Sequence, residues 1–250
     1  MPGYYHSLPP FRELFQTGVP ILTYHKLGPC PRGARLKGLY MSAKLFDRQL
    51  AELRAAGFAS APLTDAARAA GNQLLRLGIT FDDGFANVLR YGLNPLAQHG
   101  FQAVQFLVSD RLGGSNEWDR DSQEVQEPLM DASQVRDWLA AGHLIGSHTQ
   151  THPWLTRLPL DQSRAEIRAS KLRLEDRFGL AIEHFCYPYG DWNERVRDLV
   201  AEAGYLTACT TDPGVNSSAL SPFLLRRFTA RYPSRNLKAL WQRFRRWRTA

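Results

Sequence analysis

The sequence predicts an α/β fold, with parallel strands wound into a barrel or a sheet. Short apolar, β-prone runs alternate with segments of helical periodicity, which implies parallel pairing through crossover helices. The polar motifs fall at the ends of those runs, just before helices or loops, and in a (β/α) barrel that rim carries the active site. The chain has 250 residues, a normal length for a single α/β barrel. Hydrophobic residues make up 44% and charged residues 22%. That supplies a sizeable core and excludes a disordered or fibrous class. There is no internal repeat, and no apolar run approaches the ~20 residues needed to span a bilayer.

Taken in order, Val19 to His25 reads as a strand ending in Tyr24-His25. Gly28 to Gly38 is a Pro/Gly/Arg loop. Ser42 to Gly57 reads as a helix: Ser42 caps it, Leu45, Phe46, Leu50 and Leu53 recur at helical spacing, and Gly57 ends it. Leu63 to Ala70 is a second short helix. Leu77 to Phe81 is a strand leading into Asp82-Asp83-Gly84. Asn87 to Gly100 is helical with an interruption at Pro95. Ala103 to Val108 is a buried strand. Gly113 to Pro128 is polar, irregular and long, which in a compact domain usually marks function. Asp131 to Ala141 is a helix capped by Asp131 or Ser133. His143 to Ser147 is a strand, Leu160 to Phe178 a long helix, and His184 to Tyr187 a strand ending in Pro188-Tyr-Gly190. Asn193 to Ala203 is a helix, Leu206 to Thr211 a strand, and Leu224 to Ala230 the last strand.

Two strand ends carry the chemistry. Adjacent strand residues point to opposite faces, so a strand cannot bury Asp82 and Asp83 side by side. A bend at Gly84 lets one bind a metal while the other faces a substrate. The second end is Ser147-His-Thr-Gln-Thr-His152, a His-x3-His pair. On a helix such a pair shares a face; in a loop it is two unrelated polar residues. Thr149 stands where a zincin has its glutamate base, which disfavours that class. Asp83, His148 and His152 together would make a three-ligand site with room for water, the layout of a catalytic metal centre.

Thr80-Phe-Asp-Asp-Gly84, Ser147-His-Thr-Gln-Thr-His152 and Tyr187-Pro-Tyr-Gly190 resemble the polysaccharide deacetylase family, the NodB-homology or carbohydrate esterase family 4 group. The likeness covers roughly Val19 to Phe228. It implies a deformed (β/α)7 barrel of NodB type and metal-dependent removal of acetyl from N-acetylated sugars. It implies Asp82 as catalytic base and Asp83, His148 and His152 as metal ligands. It also implies Tyr189 as the residue whose backbone N–H helps hold the oxyanion. Many members carry an arginine before the Pro-Tyr-Gly turn, where this chain has Cys186. Arg227 is the candidate to replace it by pairing with Asp82, against a plain surface charge. The family's late acid histidine has no counterpart, since no histidine follows His184. A branch acting on β-1,6-linked poly-N-acetylglucosamine places that histidine on the first strand, and Pro20-Ile-Leu-Thr-Tyr-His25 is similar to it. His25 is therefore the expected general acid; the competing reading is a core histidine. Trp118-Asp119 either lines a sugar cleft or packs a surface loop. One carboxylate and two imidazoles suit Zn2+, and also Co2+, Ni2+, Mn2+ or Fe2+.

The net charge of +7 is uneven. Residues 231–250 hold seven basic side chains and no acid, so the remainder has 24 of each sign. Within 235–247, Leu237, Leu240, Trp241, Phe244 and Trp247 mark one helical face opposite Arg235, Lys238, Arg243, Arg245 and Arg246. Such a basic amphipathic helix suits an anionic membrane surface; the alternative is a helix packed on the barrel. No recognition motif accompanies the charge, so nucleic acid is not an expected partner. The sequence divides into an N-terminal extension (1–18), the deacetylase-like domain (19–230) and the basic helix (231–250). Residues 1–18 show no basic start followed by an apolar core, and three scattered cysteines offer no disulfide framework. A cytoplasmic enzyme, peripheral at the inner face of the membrane, is expected. Its substrate would be a cytoplasmic or lipid-linked N-acetylhexosamine glycan of cell-surface polysaccharide assembly. The alternatives are a deacylase acting on an O-acetyl, N-formyl or cyclic-imide substrate, and an inactive glycan-binding barrel.

Overall fold

The computed structural model describes residues 4–68 and 75–232. The basic amphipathic helix expected within 231–250 and its membrane face at 235–247 lie outside the described residues from 233 onward. Seven strands build the barrel: β1 (Val19–Tyr24), β2 (Arg76–Phe81), β3 (Val104–Leu107), β4 (Leu144–Ser147), β5 (His184–Cys186), β6 (Thr207–Cys209) and β7 (Phe228–Thr229). From β1 to β6 each pairs in parallel with the next. The last segment closes the curl. Leu225 bridges Cys209 of β6, and Phe228–Thr229 pairs with Leu22–Thr23 of β1. This is the deformed (β/α)7 barrel that the motifs imply.

All six residues of β1 and five of the six in β2 are buried, because helices cover the outside and side chains fill the inside. The covering helices are α1 (Ala43–Ala55), α2 (Leu63–Arg68), α3 (Ala86–His99), α4 (Ala132–Ala140), α5 (Leu160–Phe178) and α6 (Glu194–Glu202). Their starts are built as the sequence suggests. Ser42 Oγ accepts from the Leu45 N–H, Asp131 and Gln134 form a capping box, and Asn193 accepts from the Val196 N–H. The expected interruption at Pro95 is absent: α3 runs unbroken through it to a left-handed Gly100. Proline already has a helical φ, and in this helix it removes one N–H without ending the run. His99, at the end of α3, reaches Asp47 of α1 at 2.8 Å and ties the two helices together.

The pairs Ala59–Ser60 with Arg76–Leu77, and Val215–Asn216 with Val19–Pro20, extend the sheet at its margins. The residues expected as an N-terminal extension are packed into the domain. Tyr5, Phe11 and Phe15 are buried and cluster with Phe58 and Phe228. The Arg231 N–H donates to the Tyr5 carbonyl, so the two ends of the described chain meet.

His184 lies inside this frame on β5, with Nδ1 2.9 Å from Thr207 Oγ1. Burial, with a smaller push from Lys171, drives its pKa from 6.5 down to about 4. Below pH 6.5 the unfolded chain therefore takes up a proton that the folded one refuses. Unfolding free energy should fall between pH 6.5 and about 4, with His184 contributing on the order of 3 kcal/mol to that loss. His184→Gln should make the acid limb of a urea-denaturation pH series shallower; an unchanged slope would mean that His184 does not report on folding.

Candidate active site

The site forms where β1, β2, β4 and β5 end on one rim. At the end of β2 the Asp82 N–H still donates to the Tyr24 carbonyl at 3.0 Å, holding the strand register. The next residues leave it: Asp83 has φ 74 and Gly84 φ 85, both left-handed. This turn throws the two acids apart, as the alternation of a strand requires. After β4, Thr149 and His152 are also left-handed, each with φ 68. The His-x3-His pair is thus not helical. A looped backbone brings both rings to one point, and the His152 N–H is fixed on Thr149 Oγ1 at 3.0 Å.

Asp83, His148 and His152 converge. Asp83 Oδ1 is 3.4 Å from the Nε2 of each histidine, and all three side chains are buried. His148 Nδ1 lies 2.7 Å from the Cys186 carbonyl and must carry the proton that makes this bond. In the neutral ring, Nε2 then presents a lone pair to a carboxylate. With the ring in that form, acceptors facing one another at that distance could hold a cation. The donor set of one carboxylate and two imidazoles, with ligand atoms within 4.8 Å of one another, fits a divalent transition metal.

Asp82 is held differently. Arg227 grips it with both arms, Nη1 to Oδ1 at 2.7 Å and Nη2 to Oδ2 at 2.8 Å. Arg227 is itself enclosed, with Nε donating to the Thr210 carbonyl and Nη1 also reaching Thr23 and Thr80 hydroxyls. Burial raises the Asp82 pKa, but Arg227 outweighs that and holds it below the usual carboxylate range. Cys186 leaves room for this arrangement: its Sγ sits 3.1 Å from Arg227 Nη2. His25 points its Nε2 at Asp82 Oδ2 across 3.8 Å and is partly exposed. Its pKa is pulled down by burial, against the opposing pull of Asp82 and Asp83.

Tyr189 completes the group. It is left-handed, φ 61, in the turn after β5, and its ring meets His152 edge-on at 4.5 Å. All seven residues singled out in the sequence, His25, Asp82, Asp83, His148, His152, Tyr189 and Arg227, therefore gather on one rim. Two tryptophans join them, of which only Trp118 was a candidate from the sequence. Trp118, from the 113–128 loop, stacks on His152 at 4.5 Å. Trp154 stacks on Tyr189 at 4.1 Å. Asp191 accepts from Thr156 N and Oγ1 and ties the two loops together. Spacing does not reveal such contacts between loops. The period-two alternation that puts Thr23 and Thr80 on the inner face was the one available signal. His143, just ahead of β4, packs against Trp138.

Residues 75–208 match a family model described as polysaccharide deacetylase. The Bacillus subtilis protein YxkH, which carries a polysaccharide deacetylase name, is 26% identical over 60% of this chain and 49% of its own length. The peptidoglycan-N-acetylglucosamine deacetylase PgdA of Listeria monocytogenes is 27% identical over 50% of this chain and 24% of its own. The chain thus spans about half or less of the length of these curated relatives. The structure of the Streptococcus pyogenes deacetylase PplD in complex with acetate superposes with a TM-score of 0.74 at 21% identity, covering 90% of this chain and 96% of that one.

The buried pair gives a stability test. Arg227→Met should leave the Asp82 charge enclosed and unpaired, costing about 3–5 kcal/mol in urea denaturation. The double variant Asp82→Leu/Arg227→Met should recover most of that loss. Equal losses in the single and double variants would contradict the pairing.

Proposed function

This chain belongs to the polysaccharide deacetylase family, and from that premise we propose that it is a metal-dependent hydrolase removing N-acetyl groups from an N-acetylhexosamine-containing glycan. One observation carries the reading. A carboxylate fixed by Arg227 stands beside, and apart from, a second carboxylate that shares a three-donor cluster with two imidazoles. Metal-assisted amide hydrolysis uses both: a cation site and, next to it, a carboxylate base that is not itself a ligand.

The roles follow from the positions. Asp83, His148 and His152 would hold a divalent metal, with Zn2+ the first choice. Such an ion supplies Lewis acidity at the amide carbonyl and lowers the pKa of water toward ~7. Asp82 takes the proton of the attacking water at a carboxylate oxygen. The Arg227 fork keeps that carboxylate from swinging toward the cation. His25, whose Nε2 stands 3.8 Å from Asp82 Oδ2, delivers a proton to the leaving amine nitrogen. The backbone N–H of Tyr189 donates to the carbonyl oxygen as negative charge develops there; losing one such donor commonly costs about 3 kcal/mol. The C–N bond breaks, giving acetate and a free amino sugar.

The sugar-bearing substrate is supported by the relatives' names, among them the N-acetylglucosamine deacetylase above. A lipid-linked glycan at the inner membrane face remains our reading for the natural substrate, supported by the composition of 235–247. Among the described residues no helix is long and apolar enough to cross a membrane.

Two tests separate the chemistry from the location. Asp82→Asn should still bind Zn2+ by calorimetry while acetate release from a chitin oligomer falls by at least about 100-fold. Chelation should abolish the wild-type activity, and added metal should restore it. Survival of activity in Asp82→Asn would remove Asp82 as the base. Deleting 237–250 should weaken binding to anionic vesicles and turnover of a lipid-linked glycan, with hydrolysis of the soluble oligomer unchanged. Full activity of the truncated protein on both substrates would remove the membrane reading.

A further inference from the structure

Beside the three-donor cluster the chain builds a row of stacked groups whose outer members, Trp154 and Arg157, take no part in the chemistry above. Tyr189 meets His152 at 4.5 Å, and Trp154 lies parallel to Tyr189, 4.1 Å away with an interplanar angle of 5°. The Arg157 guanidinium carbon sits over the Trp154 ring at 4.2 Å. Two groups that close over one ring must take opposite faces. The order is therefore His152, Tyr189, Trp154, Arg157, running outward from the metal ligand to the surface. The row is braced from below, since Thr156 binds Asp191 through both its N–H and its hydroxyl. Trp154 and Tyr189 remain 39% and 38% exposed, so the row borders open space.

Arg157 is the outer end of this row. Its side chain is exposed and makes no hydrogen bond or ion pair among the described residues. Some surface arginines are answered by acids, Arg164 by Asp161, Arg197 by Asp198 and Arg173 by Asp110, and others such as Arg48 and Arg168 are not; what sets Arg157 apart is its fixed plane on Trp154, at the end of a row that starts at His152. Stacking on Trp154 fixes the plane of the guanidinium without using its donors. A planar fork held in this way is suited to two-point recognition of a phosphate or a carboxylate. Both faces of Trp154 are covered, so it offers no face for a sugar. Its role is to hold the cation.

We propose that Arg157 is a specificity-determining residue that binds an acidic group, phosphate or carboxylate, carried by the glycan next to the sugar being deacetylated. This rests on the function proposed above. Steps of 4.5, 4.1 and 4.2 Å carry the guanidinium away from His152 toward the open rim, the side on which the glycan beyond the reacting sugar would extend. A neutral chitin-like chain would leave its donors to water.

Four ligands test this with metal-loaded full-length protein: N-acetylglucosamine, N-acetylglucosamine 1-phosphate, neutral diacetylchitobiose, and a disaccharide of N-acetylglucosamine and glucuronic acid. Binding is measured by calorimetry and turnover by acetate release, for wild type, Arg157→Gln and Arg157→Lys. Thermal melting checks that the variants fold. Wild type should prefer at least one acidic ligand over its neutral partner. Arg157→Gln should raise Kd and KM for that ligand by about tenfold to a hundredfold, with kcat and the neutral ligands unchanged. Arg157→Lys should recover only part, because the charge returns without the fork. The phosphate and uronate arms tell which acid is read. No acidic preference in the wild type would overturn the proposal. So would an equal loss on acidic and neutral ligands, which would make Arg157 a brace for Tyr189. Arg157-dependent binding without acetate release from any ligand would sustain the anion site and refute the deacetylase reading instead.

Discussion

The Asp82–Arg227 pair is the interaction on which the rest of the structure depends. Arg227 enters from the segment that closes the barrel and crosses to the other strands. It bonds Thr23 on β1, Thr80 on β2, Cys186 on β5 and the Thr210 carbonyl just past β6. A guanidinium with five donors can satisfy that many partners; an ammonium cannot match their planar spread. The pair is buried and fully answered by hydrogen bonds, the condition under which an enclosed ion pair is tolerated rather than ruinous. The same bonds that seal the barrel orient the proposed base, so closure and site geometry are one constraint.

The second constraint is backbone conformation at the rim. Asp83, Thr149, His152 and Tyr189 are all left-handed without being glycine, and among the described residues the one other such residue is Gln123 in the 113–128 loop. Each such residue carries a cost of order 1–3 kcal/mol that packing must outweigh. The compensation is visible locally. Trp118 stacks on His152, Trp154 stacks on Tyr189, and Thr149 accepts the His152 N–H. These turns let the chain leave three strands sharply enough for side chains from separate loops to meet. A regular strand-to-helix passage would point them outward.

How much of this was legible follows from what each feature needs. The barrel strands and covering helices show because their periodicity and caps are local; Ser42, Asp131 and Asn193 cap where the sequence places them. The aspartates and histidines show because the chemistry fixes residue types at short spacing. Pro95 misled because a proline signal is local, while α3 is held by its packing on the barrel. The packed 4–18 segment was missed because Tyr5, Phe11 and Phe15 have no strand or helix period; they match the far end of the chain at Phe228. Arg227 was visible only as a candidate. Its partner lies 145 residues away, and pairing at that range is decided by barrel closure.

The charges around the rim favour the cation proposed for the three-donor cluster. Asp82 already has its counterion. Lys26, the other buried cation nearby, is engaged elsewhere, with its Nζ 4.8 Å and 4.5 Å from the ring centres of Tyr40 and Phe85. Asp119 adds further negative character from the loop above; burial, and then Asp83, push its carboxyl above the ordinary range. Asp83 is left facing two imidazoles whose polar contacts elsewhere are few: His148 is tied at Nδ1, and His152 Nδ1 is buried without a partner. An enclosed carboxylate beside two imidazoles is costly unless positive charge sits among them, whether a bound cation or a proton on His148, whose pKa Cys186 and Asp83 hold up against burial. A monovalent ion would only neutralise it. A divalent one leaves a surplus of positive charge directed at the open side, where an amide oxygen would be drawn in and where Asp82 waits with its carboxylate already fixed.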